Sequence, residues 1–271
     1  MLLEITEAVL KRDRATVVAG LATIIVLAWA YVVYLSSNMP SIAMSGDSGM
    51  VIHPAQMSMP NIHVWGSGDV IFTFLMWAVM MVAMMTPSAT PMILTFAQVN
   101  RQQDNHRTVV PTTIIFLLGY LLVWICFSAG ATFVQWGLHS AALLSPEMIS
   151  VTPLLGGILL ILAGVYQFTP LKNICLSRCR TPLGFLMTEW REGTKGALIM
   201  GMRHGIYCVG CCWFLMTLLF VAGVMNLVWV ALIALYVLVE KVIPAGQWVS
   251  RAIGLLTVGW GAWLLIQVWG M

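Results

Sequence analysis

A chain of 271 residues that is 60% hydrophobic and only 8% charged falls far short of the roughly 25% charge of an ordinary soluble domain, and a water-exposed globular fold is excluded. The formal charge of +3 is small and is accounted for by loop placement, so no nucleic-acid partner is expected. The apolar runs are continuous rather than alternating, which points to membrane-spanning helices and against a closed barrel.

Seven spans are predicted, at roughly 16–35, 70–86, 110–134, 151–168, 197–222, 227–240 and 252–269, most of them near the ~20 residues that cross about 30 Å of hydrocarbon. The first resembles a signal peptide in having Lys11, Arg12 and Arg14 ahead of an apolar core. Its core is too long, no small-x-small site closes it, and six further runs follow, so it is taken as an uncleaved span. With the N-terminus inside, Lys11, Arg12, Arg14, Arg101, Arg107, Lys172, Arg178, Arg180, Arg191, Lys195, Lys241 and Arg251 all fall on the cytoplasmic side, and the outside loops carry no Lys or Arg. That asymmetry is what translocation imposes. The expected fold is therefore an all-α, polytopic transmembrane helical bundle of about seven spans with a cytoplasmic N-terminus. It is multi-pass in a bacterial inner (cytoplasmic) membrane, with the lipid bilayer as its first partner. Residues 1–69 form the first span and a large outside loop, and 70–271 a six-helix membrane domain.

The outside loop 36–69 contains Met39, Met44, Met50, His53, Met57, Met59 and His63 but no Cys. Thioethers survive in an oxidising compartment where thiols do not, and Met with His is a donor set for copper. His53, Met57, Met59 and His63 are its candidate ligands. In span two, Met76, Met80 and Met84 recur at i, i+4 and i+8, with Met81 and Met85 beside them. Such a stripe either fills gaps between helices or offers a ladder of neutral soft donors to Cu(I). Thr86-Pro87 and Thr90-Pro91 are expected to break or kink this helix at its cytoplasmic end.

Cys126, alone in span three, reads as filler. Cys175 and Cys179, expected in a cytoplasmic loop, have Cx3C spacing beside Lys172, Arg178 and Arg180, which suits a soft metal or reactive thiols in a reducing compartment. The densest constellation is 201–213. His204, Cys208 and Cys212 share one helix face, with Cys211 and Met200 adjacent, so an imidazole and several thiols address one volume. Those donors favour Cu(I), with zinc as the other metal they suit. Arg203 is an expensive charge inside a span: either it pairs with Glu240, at similar depth in span six, as a structural ion pair, or it snorkels to the cytoplasmic headgroups.

The residues from Met76-Trp77 to Met84-Met85-Thr86-Pro87, Leu171-Lys172 to Cys175, Cys179-Arg180 and Pro182, Arg203-His204-Gly205 to Cys208, Gly210-Cys211-Cys212-Trp213, and Gly223-Val224-Met225-Asn226 with Glu240-Lys241 resemble the DUF2182 family over roughly residues 70 to 269. That family is described as predicted metal-binding integral membrane proteins, copper chaperone-like. The resemblance implies a metal role. The leading expectation is a membrane metal-handling protein that binds or relays Cu(I), is not obviously an enzyme, and has a periplasmic copper carrier or membrane-complex subunits as partners. The alternatives are a membrane thiol-disulfide or electron carrier, for which Cys208-x-x-Cys211 has the spacing, and a non-catalytic accessory subunit of a membrane complex. Haem is disfavoured, because His204 is the only histidine well inside a span.

Overall fold

The computed structural model describes residues 2–38, 66–103, 109–141, 153–224, 226–243 and 246–269. They form ten helices and, among the described residues, no strand. The helices are α1 Leu2–Asn38, α2 Ser67–Gln103, α3 Val109–Ser140, α4 Pro153–Tyr166, α5 Pro170–Arg180, α6 Pro182–Glu189, α7 Gly193–Thr217, α8 Leu219–Ala222, α9 Leu227–Val242 and α10 Gly246–Trp269. Five spans are long and apolar enough to cross a membrane: α1 from Arg14, α2, α3, α7 continued through α8, and α10. The chain is a helical, polytopic membrane bundle.

Two of the seven expected spans differ from the prediction. The fourth, expected at 151–168, is α4 with only 14 residues, and where a loop was expected the chain turns by 63° into α5. Thr169-Pro170 causes the turn, because proline is welcome only at the start of a helix and the Thr169 hydroxyl caps it, accepting from the Lys172 N–H at 3.4 Å. Taken together, α4 and α5 make a sixth candidate span. The sixth expected span, α9, has 16 residues, about 24 Å of helix, and is shorter than the hydrocarbon. Its start is fixed by Asn226, whose Oδ1 accepts from the N–H groups of Val228 and Trp229 at 3.2 and 3.5 Å.

Of the break or kink expected at the prolines of α2, the break does not occur: the helix runs through both Pro87 and Pro91. Proline removes the N–H donors that would reach the Ala83 and Pro87 carbonyls. Hydroxyls bond to other carbonyls of the same stretch: Ser88 and Tyr120 both donate to Met85 at 2.9 and 3.1 Å, Thr90 to Thr86 at 3.0 Å, and Thr95 to Pro91 at 2.8 Å.

Contacts between α3 and α7 form the centre of the bundle. They approach so closely that a Cβ on Gly201 would overlap the backbone carbonyl of Phe116; small residues at such positions let membrane helices pack backbone to backbone. Around this seam Trp77, Phe96, Phe116, Tyr120, Trp124 and the methionines of α2 are fully buried. Leu27, Phe133, Leu256 and Ile266 face outward and exposed, as lipid-facing side chains must. With 37 and 32 residues, α2 and α3 are about 55 and 48 Å long, and both outrun a ~30 Å hydrocarbon layer.

Candidate functional site

The i, i+4, i+8 face of α7 is buried as expected: Met200, His204, Cys208, Cys211 and Cys212 are each 1% exposed or less. The sequence did not show what this face meets. Cys175 and Cys179 were expected in a separate cytoplasmic loop, but both are buried in α5, which packs against α7. Gly210 makes the contact possible, since a Cβ there would stand 2.7 Å from the Cys175 Sγ. Cys179 lies close enough to Cys211 for the two thiols to feel each other's charge, and Cys211 is in the same position towards Cys208 and Cys212. The two cysteine motifs are thus one cluster of five thiols, all unpaired as disulfides. Cys126 is also free but exposed on α3; the filler reading assumed an inward side chain.

Within the cluster, Cys211 and Cys212 return their S–H groups to the Cys208 carbonyl at 3.1 and 2.9 Å. Cys208 Sγ is also 3.2 Å from the Tyr120 hydroxyl. Lys241, from the end of α9, donates to Cys208 Sγ at 2.9 Å and to Ser88 Oγ at 3.0 Å. Lys241 was expected as a cytoplasmic loop cation; instead it is 6% exposed, with a thiol and a hydroxyl as the polar partners the structure gives it. A buried ammonium is expensive without a counter-charge, so this position favours negative charge on the sulfur cluster.

His204 sits one turn below Cys208 in an aromatic sleeve. Tyr120 stacks on it at 5.5 Å and Phe116 at 6.3 Å, while Phe185 from α6 meets it edge-on at 5.7 Å. Its Nδ1 is buried without a hydrogen-bond partner, which is how a ligating nitrogen stands before it meets an ion. Among the described residues no three His, Cys, Asp or Glu side chains are disposed to hold one metal ion as they stand. The donors are gathered but engaged with one another.

The expected pair of Arg203 with Glu240 is wrong on both sides. Arg203 is paired with Glu189, the last residue of α6, and its side chain is 42% exposed. Arg203 lies on the outward face of α7, opposite the buried Met200, His204 and Cys208 face, so it needs no partner in the interior. Glu240 pairs with Lys172 at 2.6 Å, and both side chains are wholly buried. Tyr236 donates to the same carboxylate oxygen at 3.2 Å. Gln167, at the α4–α5 turn, takes the Lys172 ammonium and accepts from Ser250 at 3.0 Å. Only the oddity of Lys172 and Glu240 beside long apolar runs hinted at this network.

On α2, Met76, Met80 and Met84 are all buried, as are Met81 and Met85. Met76 and Met80 border a small apolar pocket with Val32, Leu35, Val224, Leu227 and Val230, at the end of the bundle away from Lys241. One helical turn past Met84, Ser88 touches Lys241, and Met85 shares the Tyr120 hydroxyl with Cys208. The stripe therefore runs from that pocket to the level of the thiols. The loop ligands His53, Met57, Met59 and His63 lie outside the described residues.

A family model described as PpoB2, copper chaperone, matches residues 74–264. The chain belongs to the PpoB2 copper-chaperone family. No curated protein and no solved structure matches it. The part matched by the PpoB2 model begins just before Met76 and includes α3, the turn at Gln167, all five clustered cysteines, Lys241 and most of α10. A copper role fits the donors inside those bounds, because thiolate and thioether are soft ligands and select Cu(I) over hard cations.

Proposed function

We propose that this protein is a multi-pass carrier of Cu(I) in a bacterial inner membrane, with its Lys- and Arg-rich end in the cytoplasm. The ion is its cargo, taken from the outside loop with His53, Met57, Met59 and His63, handed along Met76, Met80 and Met84, and held at Cys208, Cys211 and Cys212 with Cys175, Cys179 and His204 around them. The observation that carries the reading is the meeting of α5 and α7, which brings two separate cysteine motifs to one buried place beside an ammonium. Cu(I) is content with as few as a pair of thiolates, whereas zinc asks for a tetrahedral set. A bis-thiolate Cu(I) centre carries one net negative charge, and Lys241 supplies the matching positive one. The DUF2182-like motifs contribute most of these donors, in keeping with a metal role. The reading assigns no catalytic step. The outer loop would be loaded by a periplasmic copper carrier, and delivery inside would be to soluble acceptors or membrane-complex subunits.

Competition against a chromophoric Cu(I) chelator tests this on purified protein under reducing, anaerobic conditions. Wild type and Cys126→Ser should bind Cu(I) stoichiometrically and alike. Cys208→Ser with Cys212→Ser should lose tight binding while staying monodisperse, since serine is close in size but a hard ligand. Wild type that binds zinc in preference, or a double variant that binds copper as well as wild type, overturns the proposal.

A further inference from the structure

Beside the thiol cluster, between α5, α9 and the first turn of α10, lies a cleft of about 410 Å³, with Ser177, Arg180, Thr181, Lys241 and Gln247 among its lining residues. Its volume is within the range of small-molecule sites, about 300–1,000 Å³. Two of its lining side chains are cations and, among the described residues, none is a carboxylate. Lys241 belongs to both places: it lines the cleft, and its Nζ is 2.9 Å from Cys208 Sγ. Ser177 and Arg180 flank Cys179 on α5, which reaches Cys211. The cleft is thus separated from the sulfur donors by one lysine side chain.

We infer that this cleft receives a small anionic thiol, a carboxylate-bearing low-molecular-weight carrier of Cu(I), and exchanges the ion with the cluster. This rests on the copper reading of the cluster and names its soluble partner. Sulfur is required because only a soft donor displaces a soft donor. Negative charge is required because Lys241 and Arg180 attract it and nothing in the described lining repels it. The Lys- and Arg-rich end opens, in the proposed orientation, to a reducing compartment where free thiols persist. The exchange balances without redox change. The incoming thiol bonds its sulfur to Cu(I) and sheds its proton, the bond from Cu(I) to Cys208 breaks, and Cys208 Sγ is protonated. The proton shed by the incoming thiol is the one Cys208 takes up, so the exchange is neutral in protons. Copper stays monovalent and two thiolates remain on it throughout.

The test uses the full chain in nanodiscs of zwitterionic phosphatidylcholine, loaded with Cu(I), with release followed by a chelator too bulky for the cleft. Glutathione should accelerate release saturably, exceeding the cationic thiol cysteamine by about tenfold or more at equal thiolate concentration, the lower end of electrostatic steering. S-methylglutathione, anionic but without a thiol, should compete with glutathione and release nothing. Ser177→Trp, which fills the cleft without touching a sulfur, should abolish the acceleration while leaving Cu(I) stoichiometry and affinity as in wild type. Lys241→Met should fold and load more weakly; Ser177→Trp keeps the test decisive if it does not fold. Release linear in glutathione, equal rates with cysteamine, or a Ser177→Trp variant that still responds overturns the inference alone. Inhibition by inorganic phosphate as strong as that by S-methylglutathione would assign the cleft to anions in general and overturn it too. A chain that loads no Cu(I) overturns the underlying reading as well.

Discussion

Replacing Glu240 by Gln strands a charge in the interior. Lys172 and Glu240 are 2.6 Å apart with both side chains fully buried, and removing one partner from such a pair typically costs about 3–5 kcal/mol. Lys172→Met should cost a similar amount, because Glu240 has one carboxylate oxygen already without a hydrogen bond and would lose its counter-charge. Changed together, Lys172→Met with Glu240→Gln removes both charges. Gln167 loses a partner but keeps Ser250, and Tyr236 remains 3.4 Å from Gln167. The residual penalty is then that of about one weakened buried polar contact, roughly 1–3 kcal/mol. The singles sum to roughly 6–10 kcal/mol, so a coupling of at least about 3 kcal/mol is expected. Unfolding by SDS in mixed micelles, or by steric trapping in bicelles, measures all four corners of the cycle. A double variant that costs the full sum, or Glu240→Gln that costs under about 1 kcal/mol, would refute the pairing. Arg203→Gln is the control: with its side chain 42% exposed, it should cost at most about 1 kcal/mol and add independently to Glu240→Gln.

Gly201→Ala sets a methyl against the Phe116 backbone and should destabilise the same unfolding transition by about 1–3 kcal/mol or more; Gly130→Ala, which meets nothing, should be neutral or gain up to about 1 kcal/mol. Equal effects would remove the close approach of α3 and α7. Gly210→Ala meets only the movable Cys175 sulfur, so the fold should survive, and the change should appear instead as altered Cu(I) affinity and faster alkylation of Cys175. In the proposed orientation, cysteines placed at Ser37 and Ser140 in a background lacking native cysteines should label from outside the cell and one at Gln102 should not; the reverse pattern inverts the topology.

The helical class and the long spans were legible because apolar runs of membrane length have few alternative fates. The α7 donor face was legible for a similar reason, since His204, Cys208 and Cys212 need only the 3.6-residue period to align. The site as a whole was not. Cys175 and Cys179 look like loop residues because Lys172, Arg178 and Arg180 surround them; only the 63° turn at Thr169-Pro170 carries them back to α7. Charge pairs were misassigned because depth along two spans does not say which way a side chain points: Arg203 faces outward to Glu189, and Glu240 is left for Lys172. At Pro87 and Pro91 the expected break is absent, because a buried membrane segment has little alternative to helix for its remaining backbone groups.

The methionine stripe of α2 is electrically silent, since every thioether on it is neutral and Met76, Met80 and Met84 are all shielded from solvent. An ion travelling along it keeps its whole charge and so feels the membrane potential, worth about 2.3 kcal/mol per elementary charge per 100 mV. For the proposed cargo and orientation, in a cell that is negative inside, that field would draw Cu(I) inward and oppose its return, until thiolates beside Lys241 neutralised it. Copper traffic through this protein would then be electrogenic and rectified by the voltage the cell already maintains, with no nucleotide or counter-ion needed to set its direction.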